Sequence, residues 1–221
     1  MSSFTLEQIF SGDQSKFEIV PLGTNCHISH SLRKIGLRFS ALPFDWNVTP
    51  IQSAIALIDN GFSDFLSEDN FAVLPATFRL LFDENGLELE MKDDIITPVI
   101  CRKYNILYPH DFPKDYTANI KSVIGKYQKR IARLDALMNS NKHVIFVHHE
   151  GDLNDWQKEQ YAAIGSAFSN QAQNWQSELK AVLERKYPAL SYSCYPYQNF
   201  VGAMNMTWQK LQAAQKNPNI S

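Results

Sequence analysis

The sequence predicts an α/β protein, a three-layer sandwich around a mostly parallel or mixed sheet with a small antiparallel excursion. Apolar runs that are typical of fully buried strands alternate with segments of helical periodicity near both ends of the chain. Between residues 71 and 100 the pattern changes to short alternating pieces broken by Asn85-Gly86, which is a strong hairpin signal. The first observation indicates the layered sheet, and the second indicates the excursion.

In the first half of the chain one buried strand is followed by helices. Pro43 disfavours a central strand, so the segment around it is expected to be a loop packed over the core. Gly36 and Gly61 stand where glycine typically ends a helix. In order, the patterns predict an amphipathic start at 6–10, a strand at 17–22, a helix at 27–35, a loop at 37–46, and helices at 51–58 and 62–66.

The second half contains the clearest helix of the sequence, at residues 116–138. Its apolar side chains form one stripe, and lysines and arginines occupy the opposite face. A continuous apolar run at 144–147 then predicts another buried strand. The remaining patterns predict a long polar helical region at 156–185, a strand at 190–195 and a final helix at 204–212.

Length and charge bound the class of protein. A chain of 221 residues with 44% apolar content is long enough for a full core, so we expect a single domain over residues 1–221. Its 21 basic and 23 acidic residues give a formal net charge of −2 without a long run of one sign. The electrostatic footprint of a nucleic-acid or anionic-membrane partner is therefore missing from the sequence.

Targeting signals and cysteine usage indicate the compartment. Residues 1–12 lack the pattern of a signal peptide and no apolar stretch is long enough to span a bilayer, so we expect a soluble, cytoplasmic protein. Cys26, Cys101 and Cys194 are odd in number and far apart, which favours free thiols in a reducing compartment. The sequence has no paired cysteine motif of a zinc knuckle, and we expect neither a cofactor nor a metal.

Cys26 is the first candidate for chemistry because it lies where the first predicted strand turns into a helix. A thiol in the first turn of a helix faces unsatisfied backbone N–H groups and the positive end of the helix dipole, which favour the thiolate. Gly23 allows a tight turn, and the N–H groups near residues 24–27 are placed to hold a developing oxyanion. The alternative is that Cys26 is a small buried residue without a reaction to perform.

A thiol nucleophile requires a base, and two histidine segments are candidates. His110 lies in a loop that two prolines restrict, and Asp111 follows it directly. His148 and His149 come at the end of a predicted strand and would point to opposite faces, so at most one reaches a site shared with Cys26. The structural alternatives are a solvated turn for His110 and a polar strand end for the other two.

Two further candidates for the functional site are Asp45 and a zinc site that includes Cys26. Asp45 lies between two large aromatic residues, an apolar shell that would raise the pKa of its carboxyl or force it into a hydrogen bond. It fits either an orienting group or a loop cap. Cys26 and His30, one helical turn apart, would form half of a zinc site completed by His149 or Asp45. Surface positions are expected for His27 and His143.

Three motifs carry a resemblance to a known family. They are Val20-Pro21-Leu22-Gly23-Thr24-Asn25-Cys26, Pro43-Phe44-Asp45-Trp46 and Tyr108-Pro109-His110-Asp111-Phe112. In this order they resemble a bacterial domain-of-unknown-function family identified as papain-like cysteine peptidases, with the resemblance covering roughly residues 17–150. The resemblance implies that Cys26 is the nucleophile and His110 its histidine, with Asp45 or Asp111 as the third group.

The order of strand, nucleophile and helix is also similar to that of serine esterases of the SGNH type, with cysteine in place of serine. We therefore expect thiol-based acyl transfer on an ester, thioester or amide of a small-molecule, glycan or peptide substrate, with His110 or His149 as base. One alternative is a non-catalytic glycan- or protein-binding domain that uses the aromatic loop around Trp46. A metal-dependent enzyme is the third hypothesis.

Overall fold

The computed structural model describes residues 14–23, 26–38, 40–74, 78–79, 95–113, 115–166, 168 and 173–202. The strands are β1 (Phe17–Pro21), β2 (Phe71–Val73), β3 (Phe78–Arg79), β4 (Ile95–Ile96), β5 (Val99–Cys101), β6 (Ile106–Tyr108), β7 (His143–His148) and β8 (Ser191–Pro196). The helices are α1 (His27–Lys34), α2 (Ile51–Asn60), α3 (Tyr116–Met138), α4 (Asp155–Ala163) and α5 (Trp175–Lys186), and residues 197–202 are also helical. Short 3-10 turns cover Gln14–Lys16 and Glu68–Asn70.

The central sheet is parallel and has the order β1-β7-β8. β7 lies in the middle and all of its residues are buried, as expected for a strand covered on both faces. Pro21 of β1 lies opposite Val147, and His148 lies opposite Pro196 of β8. The carboxyl ends of the three strands therefore meet at one edge, where loops of α/β proteins commonly carry the functional groups.

Apolar side chains of this sheet alternate between two cores. The face toward α1 carries Ile19, Ile145 and Val147, which cluster with Ile28, Leu32 and Phe200. The opposite face carries Val20, Val144 and Phe146, which join a larger core with residues of α2, α3 and α5. Helices thus cover both faces, and the predicted α/β sandwich is confirmed.

The antiparallel excursion is a separate small sheet with the order β2-β5-β6, and β3 pairs with β4. Val48 adds an isolated bridge to β6 through two backbone hydrogen bonds with Leu107, of 2.8 and 3.0 Å. The excursion is confirmed, although the predicted turn at Asn85-Gly86 lies outside the described residues. The predicted segments at 6–10 and 204–212 lie outside them as well.

Several predicted elements differ from those observed. Residues 62–66 form turns instead of a helix, with positive φ values of 61° at Phe62 and 57° at Asp64. The described part of the region at 156–185 contains two helices, because α4 ends at Ala163 and α5 begins only at Trp175. The strand β6 was not predicted, since three residues give too short a pattern to recognise.

The expected surface position of His143 is also wrong. The residue is 6% exposed, and its ring nitrogens contact the hydroxyl oxygens of Ser191 at 2.7 Å and Ser193 at 3.1 Å on the neighbouring strand. Two serines that alternate with apolar residues on β8 thus satisfy a histidine inside the sheet.

The described helices include none that combines the length and apolar character needed to cross a membrane.

Candidate active site

Cys26 occupies the position directly before the first residue of α1, so the predicted placement in a strand-to-helix turn is confirmed. β1 ends at Pro21, and Gly23 has a φ of 84°, which only glycine adopts readily. Residues 24 and 25 lie outside the described part of the chain. An eight-residue helix is marginal on its own, so the packing of Ile28 and Leu32 on the sheet holds α1 and therefore Cys26 in place.

The ionisation of Cys26 differs from the expectation of a stabilised thiolate. Burial raises the pKa of the thiol above its usual value, and the hydrogen bond from its own backbone N–H opposes this only in part. At neutral pH the sulfur therefore carries its proton in the free protein. A nucleophilic role for Cys26 then needs a base that removes this proton during the reaction.

The turn before Cys26 packs against residues 46–49, which we call the bridging segment. A Cβ atom placed on Gly23 would lie 2.6 Å from Cβ of Thr49 and 2.7 Å from its carbonyl oxygen. Side chains larger than hydrogen are therefore excluded at position 23 for two reasons, namely the φ angle and this contact. Val48, directly before Thr49, ties the bridging segment to β6, so the segment joins the turn to the strand that precedes His110.

His110 lies in the loop after β6, between buried neighbours. Tyr108, Asp111 and Phe112 are all buried, whereas His110 is partly exposed. The imidazole lies edge-on to Trp46 of the bridging segment, with 6.1 Å between the ring centroids. The anchored flanks fix the path of the loop and leave the imidazole accessible, as a functional histidine requires.

Trp46 links His110 to the face of α1 that carries Cys26. The guanidinium of Arg33 lies 4.7 Å from the centroid of the indole. Cys26 and Arg33 are seven residues apart, which places them on the same face of the helix, about 10 Å apart along its axis. Because helical side chains lean toward the N-terminus, that of Arg33 reaches back in the direction of Cys26.

The two aspartates named in the sequence analysis both have partners other than a histidine. Asp45 is fully buried and accepts hydrogen bonds from Arg38 at 2.8 Å and from the backbone N–H of Leu42 at 2.8 Å. Asp111 accepts from Lys126 at 2.6 Å and from the hydroxyl of Tyr127 at 2.6 Å. In each case both carboxylate oxygens are engaged, so these groups stabilise the loops on either side of Trp46 and His110.

His148 and His149 point to opposite faces of the sheet, as predicted. His148 is buried against Trp175 of α5, with 5.3 Å between ring centroids. Burial, reinforced by the charge of His149 and opposed by the backbone of Leu22, lowers the pKa of His148 to about 4. This histidine is therefore neutral at physiological pH and belongs to the core on the face away from α1.

His149 lies on the α1 side of the sheet, against the ring of Tyr197 at a centroid distance of 4.8 Å. Burial and the nearby His27 lower its pKa. Its Nδ1 accepts a hydrogen bond of 3.0 Å from the backbone N–H of Gly151. The neutral ring therefore carries its proton on Nε2, and in this tautomer Nε2 donates a proton instead of accepting one.

The zinc hypothesis receives no geometric support within the described ranges. Among these residues no three His, Cys, Asp or Glu side chains are grouped as metal ligands. Asp45, one of the groups that would have completed such a site with Cys26 and His30, is paired with Arg38. His27 is exposed, as expected.

Sequence reasoning did not find the buried polar residues that connect the two halves of the site. Asn47 and Thr49 of the bridging segment are 1% and 0% exposed, and Tyr127 on α3 is also fully buried. A buried polar residue looks like any loop residue in a sequence. The one available signal was the clustering of two polar residues directly after the Pro43-Phe44-Asp45-Trp46 motif.

The fold and this geometry define a class of protein, namely an α/β protein with a cysteine at the carboxyl edge of a parallel sheet, at the start of the following helix. Comparison with known families assigns the chain to a family. Residues 17–183 match the family described as "Putative papain-like cysteine peptidase (DUF1796)", and the chain belongs to that family. The match extends beyond residue 150, the expected end of the resemblance.

A relative is known from a virus. The chain is 28% identical over 147 residues, or 63% of its length, to the "Uncharacterized protein R408" of Acanthamoeba polyphaga mimivirus. This match spans 65% of the viral protein, and its source gives no support to the expected bacterial origin. No solved structure matches the chain.

Proposed function

We propose that this protein is a cysteine-dependent hydrolase in which Cys26 is the nucleophile and His110 the base. The observation that carries the proposal is the bridging segment, because it contacts the turn before Cys26 at Thr49 and the ring of His110 at Trp46. Family membership supports a peptide bond as the substrate. The position of the cysteine in a strand-to-helix turn suits esters and thioesters equally well.

The reaction follows from these groups. His110 takes the proton from Sγ of Cys26 as the sulfur attacks the carbonyl carbon, and a tetrahedral oxyanion forms. N–H groups at the start of α1 stabilise the oxyanion, where the helix dipole adds to them. The bond to the leaving group breaks, the imidazolium returns the proton to that group, and a thioester remains on Cys26. Water then hydrolyses this thioester with His110 as base.

His110 is preferred over His149 as the base for two reasons, the side of α1 on which each ring lies and the tautomer of His149. The contact of His110 with Trp46 and of Trp46 with Arg33 supports a position of His110 on the side of α1 that Cys26 occupies, whereas His149 feels the charge of His27. The hydrogen bond from Gly151 also leaves Nε2 of His149 protonated in the neutral ring. Neither aspartate is required to orient the imidazole in this proposal, since the packed loop and Trp46 hold it.

A binding function around Trp46 has less support. Trp46 is 4% exposed and lies beneath Arg33, so its ring offers no open platform on which a sugar or a peptide could stack.

The test is a set of matched variants with a panel of fluorogenic peptides and activated esters. Cys26→Ala is expected to abolish turnover of any accepted probe, and mass spectrometry of the unmodified protein is expected to show acyl addition at Cys26. Cys194→Ala serves as the control that keeps activity. His110→Ala should lower kcat by at least about a hundredfold, and His149→Ala by much less. Turnover that survives in Cys26→Ala would refute the proposal.

A further inference from the structure

We propose that Tyr127 of α3 is a positioning residue that holds the His110 loop in register with the turn before Cys26. This inference rests on the proposed function and adds to it a residue that neither the motifs nor the family assigns. Tyr127 is 80 residues from Asn47 in the sequence, so only the folded chain shows the connection.

The hydroxyl of Tyr127 lies between the two segments that carry the reacting groups. It donates a hydrogen bond of 2.6 Å to Oδ2 of Asp111, the residue directly after His110. On its other side it accepts a longer hydrogen bond of 3.4 Å from Nδ2 of Asn47. Oδ1 of Asn47 accepts from Oγ1 of Thr49 at 2.6 Å, and Thr49 is the residue that packs on Gly23. A hydrogen-bonded chain therefore runs from Thr49, which packs on Gly23, to Asp111 in the loop of His110.

Burial makes this chain rigid. Tyr127 and Thr49 are fully buried, and Asn47 and Asp111 are nearly so. Water cannot replace a lost partner easily at such positions, so each broken link leaves a buried polar group unsatisfied. Burial also raises the pKa of Tyr127 far above its usual value, which keeps the hydroxyl proton available to Asp111 at any physiological pH.

Tyr127 differs from the other partners of Asp111 in what it connects. Lys126 and Arg130 also contact this carboxylate, at 2.6 and 3.7 Å, and they compensate its charge. Tyr127 is the partner that also reaches Asn47 of the bridging segment. Removing the hydroxyl therefore leaves Asp111 ionised and paired but breaks the side-chain link between its loop and the bridging segment. A shift of about 1 Å between reacting groups is enough to slow a reaction strongly.

The experiment compares Tyr127→Phe with Tyr104→Phe as a matched control. Tyr104 is also buried, and its hydroxyl donates to the carbonyl of Ser63 at 2.8 Å and accepts from Asn60 at 2.8 Å. Both variants lose one hydroxyl with two hydrogen bonds, so a purely structural effect should be similar in the two. The readout is the pH profile of Cys26 alkylation by iodoacetamide, with His110→Ala as the reference for an uncoupled thiol.

We expect Tyr127→Phe to move the alkylation profile toward that of His110→Ala, with a rate at neutral pH reduced at least about threefold, while Tyr104→Phe keeps the parent profile. Thr49→Val removes the hydroxyl at the other end of the hydrogen-bonded chain and keeps the shape of the side chain. This variant should move the alkylation profile in the same direction, and it provides the test if Tyr127→Phe does not fold. If Tyr127→Phe and Thr49→Val both keep the parent alkylation profile, the inference is wrong. An unchanged profile in His110→Ala would instead overturn the proposed coupling of His110 and Cys26 itself.

Discussion

Cys26 differs from the other two cysteines in the combination of access and ionisation. Cys101 is fully buried, and burial raises the pKa of Cys194 to about 12. Cys26 is partly exposed at a helix N-terminus, and its own backbone N–H opposes the rise of its pKa by burial, a hydrogen bond that does not contribute at Cys194. Since the thiolate is the reactive form, we predict that iodoacetamide labels Cys26 first in the folded protein, at a rate that rises with pH. Peptide mapping after brief labelling measures this, and earlier labelling of Cys101 or Cys194 would contradict it.

Gly23 offers a second test at the scale of one residue. Gly23→Ala forces a Cβ atom to within 2.6 Å of Thr49 and places alanine at a φ of 84°. Gly36→Ala is the matched control, because its φ is 74° but its Cβ would meet nothing within 4 Å. We expect the control to lose about 1 kcal/mol of unfolding free energy and Gly23→Ala to lose at least about 2 kcal/mol. Denaturant unfolding of both variants measures the difference, and equal losses would show that the contact with Thr49 is unimportant.

A residue's surroundings could be predicted from the sequence where they depend on neighbouring residues, and not where they depend on distant segments. The placement of Cys26 follows from local pattern, because a strand, a glycine and a helix are adjacent in the chain. The partners of Asp45 and Asp111 could not be foreseen. Arg38 and Tyr127 are common residue types at unremarkable positions, and their contacts exist only after distant segments have packed.

At the scale of elements, α3 is the helix that anchors the His110 loop. Burial pushes the pKa of Asp111 upward, but Lys126, Arg130 and His110 outweigh it and leave this pKa below its usual value. A lowered carboxylate pKa stabilises the folded state above the pKa of the unfolded chain, about 4, and this contribution is lost as the pH falls below it.

We therefore predict that Asp111→Asn lowers the unfolding free energy by about 3 kcal/mol at neutral pH, because the buried Arg130 loses its counter-charge. The difference from the parent should shrink as the pH falls below about 4, because the unfolded chain takes up a proton there, whereas the folded parent, in which the pKa of Asp111 is lowered, takes it up only at a lower pH. Chemical denaturation at several pH values checks both parts. A difference that stays constant with pH would show that the ionised form contributes nothing. Asp59→Asn is a suitable control, since its partner Arg185 is exposed on α5.

Elements with a clean periodic pattern were predicted well. The apolar runs of β1 and β7 and the long stripe of α3 agree with the structure to within about two residues. The break between α4 and α5 was missed because this region is polar on most faces and offers no stripe whose interruption could be seen. β6 owes its extended form to pairing with β5 and Val48, which are tertiary contacts.

At the scale of the whole molecule, the central sheet places the consecutive residues His148 and His149 in two different environments. His149 lies on the α1 face against Tyr197, whereas His148 is buried in the core against Trp175. Burial holds the pKa of His148 at about 4, compared with 6.5 for the ordinary side chain. Because β7 is the central strand, protonation of this core histidine opposes the packing of the entire sheet.

The sign of the resulting pH dependence follows from proton counting. Between pH 6.5 and about 4 the unfolded chain binds a proton at position 148 that the folded chain does not. The contribution of His148 to the unfolding free energy is therefore fully present above pH 6.5. It falls as the pH is lowered, by at most about 3 kcal/mol at pH 4. We predict that His148→Leu removes this part of the slope, whatever its effect on stability at neutral pH. Thermal melting from pH 7 to 4 compares the slopes directly. His30→Leu is the control, because His30 lies outside the core. If the melting temperature of His148→Leu depends on pH as steeply as that of the parent, His148 is protonated in the folded protein as it is in the unfolded chain.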